Sequence, residues 1–266
     1  MSETIANKSY IGLSFDDGRI DNFTNVLPVL ENLGIPATFN ITTGYIDGTL
    51  RQENKFCENP PMTIENIIRI ADSGIFEIAA HGDQHLNDKK DILLSIEKLH
   101  RWGLKFDKIG FASPHHRLTG RMEEIQYLME ELELSYVRVG ALFCKDLASR
   151  LSREITRITH SKHLFIGNYK ISLMNQAMLK KRILFSCPVN HRMTFEQIKA
   201  FVDYAVENEL SWILLFHSVL RAEEKFFGNY ENVEYNVFLK ICKYLSALRR
   251  DKHICICKTA DMLREV

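Results

Sequence analysis

Tyr10-Ile11-Gly12-Leu13-Ser14-Phe15-Asp16-Asp17-Gly18 is the stretch on which the reading of this chain turns. Its first six residues have the composition of a buried strand, and Gly18 permits a tight turn directly after it. Between them stand two adjacent carboxylates. On a surface such a pair is simply solvated. At the end of a buried strand the two charges repel and desolvate each other unless something neutralises them. A metal ion, a partner base or a shared proton are the three ordinary answers.

Working outward, strand-like and helix-like runs alternate along the 266 residues. Further strands are expected at Ala37–Ile41, Phe76–Ala80, Ile109–Ala112, Tyr136–Val139, Ile183–Ser186, Trp212–Phe216 and Ile254–Cys257. Helices are expected at about Val26–Leu33, Ile64–Asp72, Asp91–Trp102, Arg121–Leu132, Phe195–Glu207 and Val237–Leu248. Gly34 and Gly74 stand where helices stop, and Thr194-Phe195-Glu196-Gln197 is a capping box. Pro28 argues that the first helix starts late or is kinked. This alternation implies an α/β protein with a largely parallel sheet, either a barrel or an open doubly wound sheet. The chain reads as a single catalytic domain over residues 1–266. Thr42–Pro61 is a long irregular loop, and the stretch 142–181 has poor periodicity, consistent with an inserted lid or extra strands.

Composition narrows the function. Apolar residues make up 45% and charged residues 26%, which is ordinary for a globular protein. Lys plus Arg and Asp plus Glu both number 34, so no global charge points to nucleic acid. No apolar run approaches the roughly 20 residues of a transmembrane segment. The N-terminal residues show no signal-peptide pattern, which gives a cytoplasmic expectation. The six cysteines (Cys57, Cys144, Cys187, Cys242, Cys255 and Cys257) form no C-x2-C pair and are expected to be reduced and mainly buried.

Ligands of parallel α/β architectures sit at the carboxyl ends of the strands. Four expected strands here end in titratable groups. Asp16 and Asp17 follow the first, and His81-Gly82-Asp83-Gln84-His85 follows the third. Ser113-Pro114-His115-His116-Arg117 follows the fourth, and His217 follows Trp212–Phe216. If the His81–His85 segment turns into a helix, its two imidazoles share one face. Two imidazoles and a carboxylate make a three-ligand set with open positions, suited to zinc or to another divalent transition metal.

Together these motifs resemble the polysaccharide deacetylase family, also called the NodB-homology domain or carbohydrate esterase family four. Ser14-Phe15-Asp16-Asp17-Gly18 is similar to its first motif and His81–His85 to its H-[ST]-x-x-H motif, with Gly82 in place of the hydroxyl residue. Leu215-Phe216-His217 is similar to its late L-x-H motif. The passage Val29–Phe39 is also similar, and the likeness runs from about Tyr10 to Leu263. The resemblance implies a distorted (β/α) barrel with about seven strands. It implies that Asp17, His81 and His85 hold a divalent ion, usually Zn2+, with Asp16 as catalytic base and His217 as the acid. The backbone N–H of His115 would bind the oxyanion.

Two departures stand out. The family's third motif has an arginine where this chain has Ala112, and that arginine pairs with the base. His115, His116 or Arg117 are the candidates to orient the base or substrate instead. The family's Asp/Trp motif is also missing, with Arg138 and Asp146 as its nearest stand-ins. Cys187–Arg192 reads either as a rim loop or as an ordinary strand-to-helix connection.

The implied activity is removal of an N-acetyl or other N-acyl group by metal-activated water. The substrate would be an N-acylated amino sugar, a nucleotide- or lipid-linked sugar, or an oligosaccharide. Two other readings stay open: an amidase or deformylase acting on a small molecule, and a non-catalytic carbohydrate-binding relative. The sequence does not fix the oligomeric state.

Overall fold

The computed structural model describes residues 9–51, 59–141, 143, 146–228, 231–251 and 253–263. Cys57 and Cys144 lie outside them.

Seven parallel strands close into a barrel in chain order: β1 (Ser9–Phe15), β2 (Ala37–Ile41), β3 (Phe76–Ala80), β4 (Phe111–Ala112), β5 (Val137–Gly140), β6 (Ile183–Pro188) and β7 (Trp212–Phe216). Closure comes from β1 and β7, whose register runs from Ile11 opposite Trp212 to Phe15 opposite Phe216. The other edge of β1 is divided. Ser9–Gly12 pair with Ile254–Cys257, while Ser14 and Phe15 pair with Thr38 and Phe39 of β2. Every residue of β1 is buried, as expected for a parallel strand covered on both faces.

Side chains alternate along β1. Ile11, Leu13 and Phe15 belong to the core shared with the surrounding helices. Phe15 stacks on Phe39 and Phe216, with ring centroids 5.1 and 5.3 Å apart. The intervening positions face the barrel interior, which changes character along its axis. Its lower part is apolar, with Tyr10, Tyr136, Leu184, Ile213 and Met262 in one cluster. Its upper part holds the buried polar residues Ser14, Asp16, Asn40, Arg138 and Ser186.

Among the described residues, ten helices of α type surround the strands: α1 (Leu27–Leu33), α2 (Thr43–Ile46), α3 (Ile64–Asp72), α4 (Lys89–Arg101), α5 (Met122–Glu131), α6 (Leu147–Thr159), α7 (Lys162–Tyr169), α8 (Gln176–Leu179), α9 (Phe195–Glu207) and α10 (Tyr235–Arg250). The first expected helix proves to be two pieces. A π-helical turn at Asn22–Val26 leads without a break into α1, and Pro28 is the second residue of α1. α9 carries the expected Thr194–Gln197 capping box, and α3 carries another between Thr63 and Asn66.

Three expectations need correction. The described residues of 142–181 form helices α6 to α8, not extra strands; only Met174 makes a β-bridge, to Ser211. β4 covers two residues rather than four, although Ile109 O and Gly110 O still accept from Ser135 N and Ala80 N at 2.9 Å each; the Tyr136 ring fills the space beside Gly110, within 2.1 Å of where a Cβ would stand. A further parallel pair, β8 (Ser218–Leu220) with β9 (Asn232–Glu234), follows β7 and was not expected. The last strand, β10 (Ile254–Cys257), is the one beside β1. Cys187, Cys242 and Cys257 are buried, Cys255 is half-buried, and none of them forms a disulfide among the described residues. No helix among the described residues is long and apolar enough to cross a membrane.

Candidate metal centre and catalytic pair

Asp16 and Asp17 leave the upper end of β1 in opposite directions. The chain turns sharply there, with φ of 79° at Asp17 and 87° at Gly18. A positive φ at a residue with a side chain is strained, and the turn sends the two carboxylates to different partners.

Asp17 is fully buried and divides its oxygens. Oδ2 accepts from Arg19, with Nε at 2.8 Å and Nη2 at 2.6 Å. Arg19 is itself held by Ser218 Oγ at 3.1 Å and by Glu231 Oε2 at 2.7 Å. Oδ1 has no hydrogen-bond partner. It faces His81 Nε2 at 3.5 Å and His85 Nε2 at 3.6 Å, and those two nitrogens are 3.2 Å apart. Burial, the largest single influence, opposes the charge of Asp17, but the Arg19 guanidinium together with the nearby imidazoles of His81, His217 and His85 outweighs it and holds the carboxyl well below the usual range.

These three atoms fit a metal ion. Ligand atoms bound tetrahedrally at about 2.0–2.1 Å stand about 3.3–3.4 Å apart. A buried carboxylate oxygen without a donor, aimed at two converging imidazole nitrogens, needs a positive centre. The tautomer is also set: His81 Nδ1 lies 2.8 Å from the Ala112 carbonyl, and a proton on Nδ1 leaves Nε2 bare. Burial, followed by the neighbouring His81, pushes the His85 imidazole well down toward the neutral form that a ligand needs.

His81 and His85 converge by a route other than a helix. The segment is a tight loop with positive φ at Gly82 (78°) and His85 (57°). Asp91, in the first turn of α4, organises it by accepting from the backbone N–H groups of Asp83, Gln84 and Leu86 at 3.0, 2.7 and 3.0 Å. A Cβ at position 82 would stand 2.5 Å from Asp91 Oδ2. That explains glycine where the resemblance leads one to expect a hydroxyl residue.

Asp16 stays off this triad and takes a different cation. Arg138 Nη2 donates to both of its oxygens at 2.7 Å, and Asn40 Nδ2 donates to Oδ1 at 2.7 Å. Arg138 is fully buried, and its Nη1 is anchored on Ser186 Oγ at 2.8 Å. Burial, the largest single influence, raises the Asp16 carboxyl, but Arg138 together with the His81 and His217 imidazoles outweighs it, so the net direction is downward.

Arg138 answers the question raised by Ala112. The two residues are register partners across β4 and β5. The guanidinium has moved one strand sideways at the same level of the barrel. None of His115, His116 and Arg117 supplies it. His115 and Arg117 are exposed, and His116 packs its ring against Gly140, within 2.6 Å of where a Cβ would stand. The surroundings of His116, then Arg138, push its imidazole down to about 3, so it carries no charge near neutrality. Asp146 is elsewhere: it caps α6, accepting from Ser149 N at 2.8 Å.

His115 lies over the triad, its ring centroid 4.4 Å from that of His85, and its backbone N–H makes no hydrogen bond to the described residues. His217 is half-buried at the end of β7. Asp16 N donates to Phe216 O at 2.9 Å, so Asp16 and His217 leave neighbouring strands at one level. Sequence reading missed Arg19, Asn40, Ser186 and Asp91. Only Arg19 had a signal, as a cation two residues from Asp17.

The polysaccharide deacetylase family model matches residues 4–108. Among curated proteins none matches at a significant level. Among solved structures, a candidate polysaccharide deacetylase of Mycobacterium smegmatis is similar over 98% of this chain and 91% of its own, at 13% identity and a TM-score of 0.58. A family 4 acetyl xylan esterase of Clostridium thermocellum, solved with a cobalt ion, is similar over 97% and 91%, at 15% identity and a TM-score of 0.50. The deacetylase domain of BpsB from Bordetella bronchiseptica matches at 19% identity with a TM-score of 0.37, over 48% of this chain and 62% of that one. At these identities the likeness shows the fold: a closed barrel of seven parallel strands ringed by helices, as in carbohydrate esterase family four.

Proposed function

We propose, for a chain that carries the polysaccharide deacetylase signature and the barrel of carbohydrate esterase family four, that it is a metal-dependent hydrolase removing an N-acetyl or related N-acyl group from an amino sugar. One observation carries this reading: adjacent carboxylates with separate partners. Asp17 turns an unsatisfied oxygen toward His81 and His85, while Asp16 is held by Arg138 and Asn40.

Asp17, His81 and His85 would hold Zn2+ or another divalent transition metal, which when bound polarises the acyl carbonyl and makes water acidic. Asp16 takes the proton of the attacking water, and Arg138 and Asn40 keep its carboxylate ionised and aimed. The backbone N–H of His115 donates to the acyl oxygen as negative charge gathers there. His217 gives a proton to the amine nitrogen as the C–N bond breaks, so the products are a carboxylic acid and a free amine. His116, neutral and packed on Gly140, shapes the wall beside Arg138.

The substrate class is an N-acylated amino sugar, free, in an oligosaccharide, or linked to a nucleotide or lipid. The missing arginine at position 112 and the missing Asp/Trp motif both favour a non-catalytic relative, and Arg138 weakens the first of these arguments. A cytoplasmic location is part of the proposal, and fractionation of expressing cells tests it. The activity is tested by acetate release from N-acetylated amino-sugar oligosaccharides by zinc-loaded protein. Release by the wild type that disappears in Asp16→Asn is expected. Equal release by both would remove Asp16 from the chemistry.

A further inference from the structure

Helix α6 is packed the reverse way for its composition. Leu147, Leu151, Ile155 and Ile158 recur at intervals of four, four and three and form one stripe. Such a stripe ordinarily faces a core, yet these side chains are 82, 58, 40 and 72% exposed. The body of the protein meets the opposite, hydroxyl-bearing face. Ser152 Oγ donates to Asn168 Oδ1 and Asn168 Nδ2 donates to Thr156 Oγ1, both at 2.8 Å, while Gln197 Nε2 reaches the Thr156 carbonyl at 3.4 Å. A contiguous apolar stripe of this kind differs from scattered surface hydrophobics and marks an interaction face.

Charge says what covers it. Residues 146–182 contain eight Lys or Arg and only two Asp or Glu, in a chain whose totals balance. Arg150, Arg153 and Arg157 run along one flank of the stripe. The helix's one acid, Glu154, is already paired with Arg157 at 2.6 Å. Beside α6 lies a cavity of about 470 Å³ that sets Phe143 and the exposed Ile171 next to Arg153 and Lys170. An aliphatic stripe with a cationic flank is the pattern of a helix lying in the plane of a membrane interface.

We propose that α6 and the groove beside it dock on an anionic phospholipid surface. The Leu/Ile stripe enters the boundary between headgroups and acyl chains, and the arginines meet lipid phosphates. A second copy fits less well. Four side chains of one 13-residue helix fall short of the roughly 800 Å² per partner of a stable dimer, and antiparallel pairing of α6 with itself brings the arginine flanks together. α6 begins seven residues after Gly140, the last residue of β5. Bilayer docking does not depend on the chemistry of Asp16 and Asp17, and it is read without substrate.

The full chain is sedimented with phosphatidylcholine vesicles and with equimolar phosphatidylcholine–phosphatidylglycerol vesicles. Binding at least tenfold stronger to the anionic vesicles is expected, falling at high salt. Leu151→Ser/Ile158→Ser, at exposed positions, is expected to lose at least tenfold while keeping the wild-type melting profile. Arg150→Gln is expected to lose about fivefold. Wild-type protein left in the supernatant with anionic vesicles would overturn the proposal. So would Leu151→Ser/Ile158→Ser binding as the wild type does, which would mean adsorption by charge alone. A wild-type dimer in light scattering that becomes a monomer in the same variant, with no vesicle binding, would assign the stripe to a second copy instead.

Discussion

One strand serves two carboxylates in opposite ways. Tyr136 and Arg138, two residues apart at the start of β5, both project into the barrel. Below, the Tyr136 hydroxyl donates to Glu77 at 2.9 Å, alongside Thr38 Oγ1 at 2.8 Å and the Ala260 N–H at 3.1 Å. Above, Arg138 grips Asp16. Loss of water raises both carboxyls. With only neutral donors, Glu77 ends above its ordinary value; with a guanidinium and the His81 and His217 imidazoles close by, Asp16 ends below. Burial is common to both, so the charge of the partner decides. The carboxylate proposed to accept a proton faces a cation, and the one that ties strands together does not.

Substitutions along this axis sharpen the contrast. Asp16→Asn, which keeps the shape and loses the base, should lower acetate release about 10²–10⁴-fold with the fold intact, measured by initial rates and by thermal melting. Arg138→Met should cost about 3–5 kcal/mol in urea denaturation, because it strands a buried carboxylate. Returning the cation across the ladder, in Ala112→Arg/Arg138→Ala, should recover part of both stability and rate. No recovery would mean that Ala112 and Arg138 are not equivalent places for the guanidinium.

Effects at the floor should be smaller. Tyr136→Phe should cost about 1 kcal/mol by the same denaturation, with acetate release unchanged. Glu77 sets the sign of a pH effect. Its folded pKa is raised above the ordinary 4.5, so its stabilising contribution is full below that value and is lost as pH rises through the folded pKa. Glu77→Gln should therefore flatten the fall in unfolding free energy between pH 4.5 and neutrality. An unchanged slope would show that Glu77 does not titrate there.

Much of this arrangement is legible in the sequence, for physical reasons. Parallel strands buried on both faces read as continuous apolar runs, so the seven barrel strands and β10 could be located. Ligands collect where those runs end, which singled out Asp16, Asp17, His81, His85 and His217. What escaped depends on contacts across the chain. That Arg138 can stand in for an arginine at Ala112 follows only from the register of β4 on β5. That Gly82 is required follows from a carboxylate nine residues on, at Asp91. β8 and β9 are three residues each, too short for periodicity to show. The helices of 147–179 escaped because α6 buries hydroxyls and exposes its apolar stripe, so its pattern does not point to a core.

The division of labour between the adjacent acids is tested most directly by zinc content. Wild type, Asp16→Asn and Asp17→Ala are each loaded with zinc, freed of excess and analysed for metal per chain. One ion in the wild type, one in Asp16→Asn and none in Asp17→Ala is the predicted result. An ion retained in Asp17→Ala, or lost from Asp16→Asn, would contradict it.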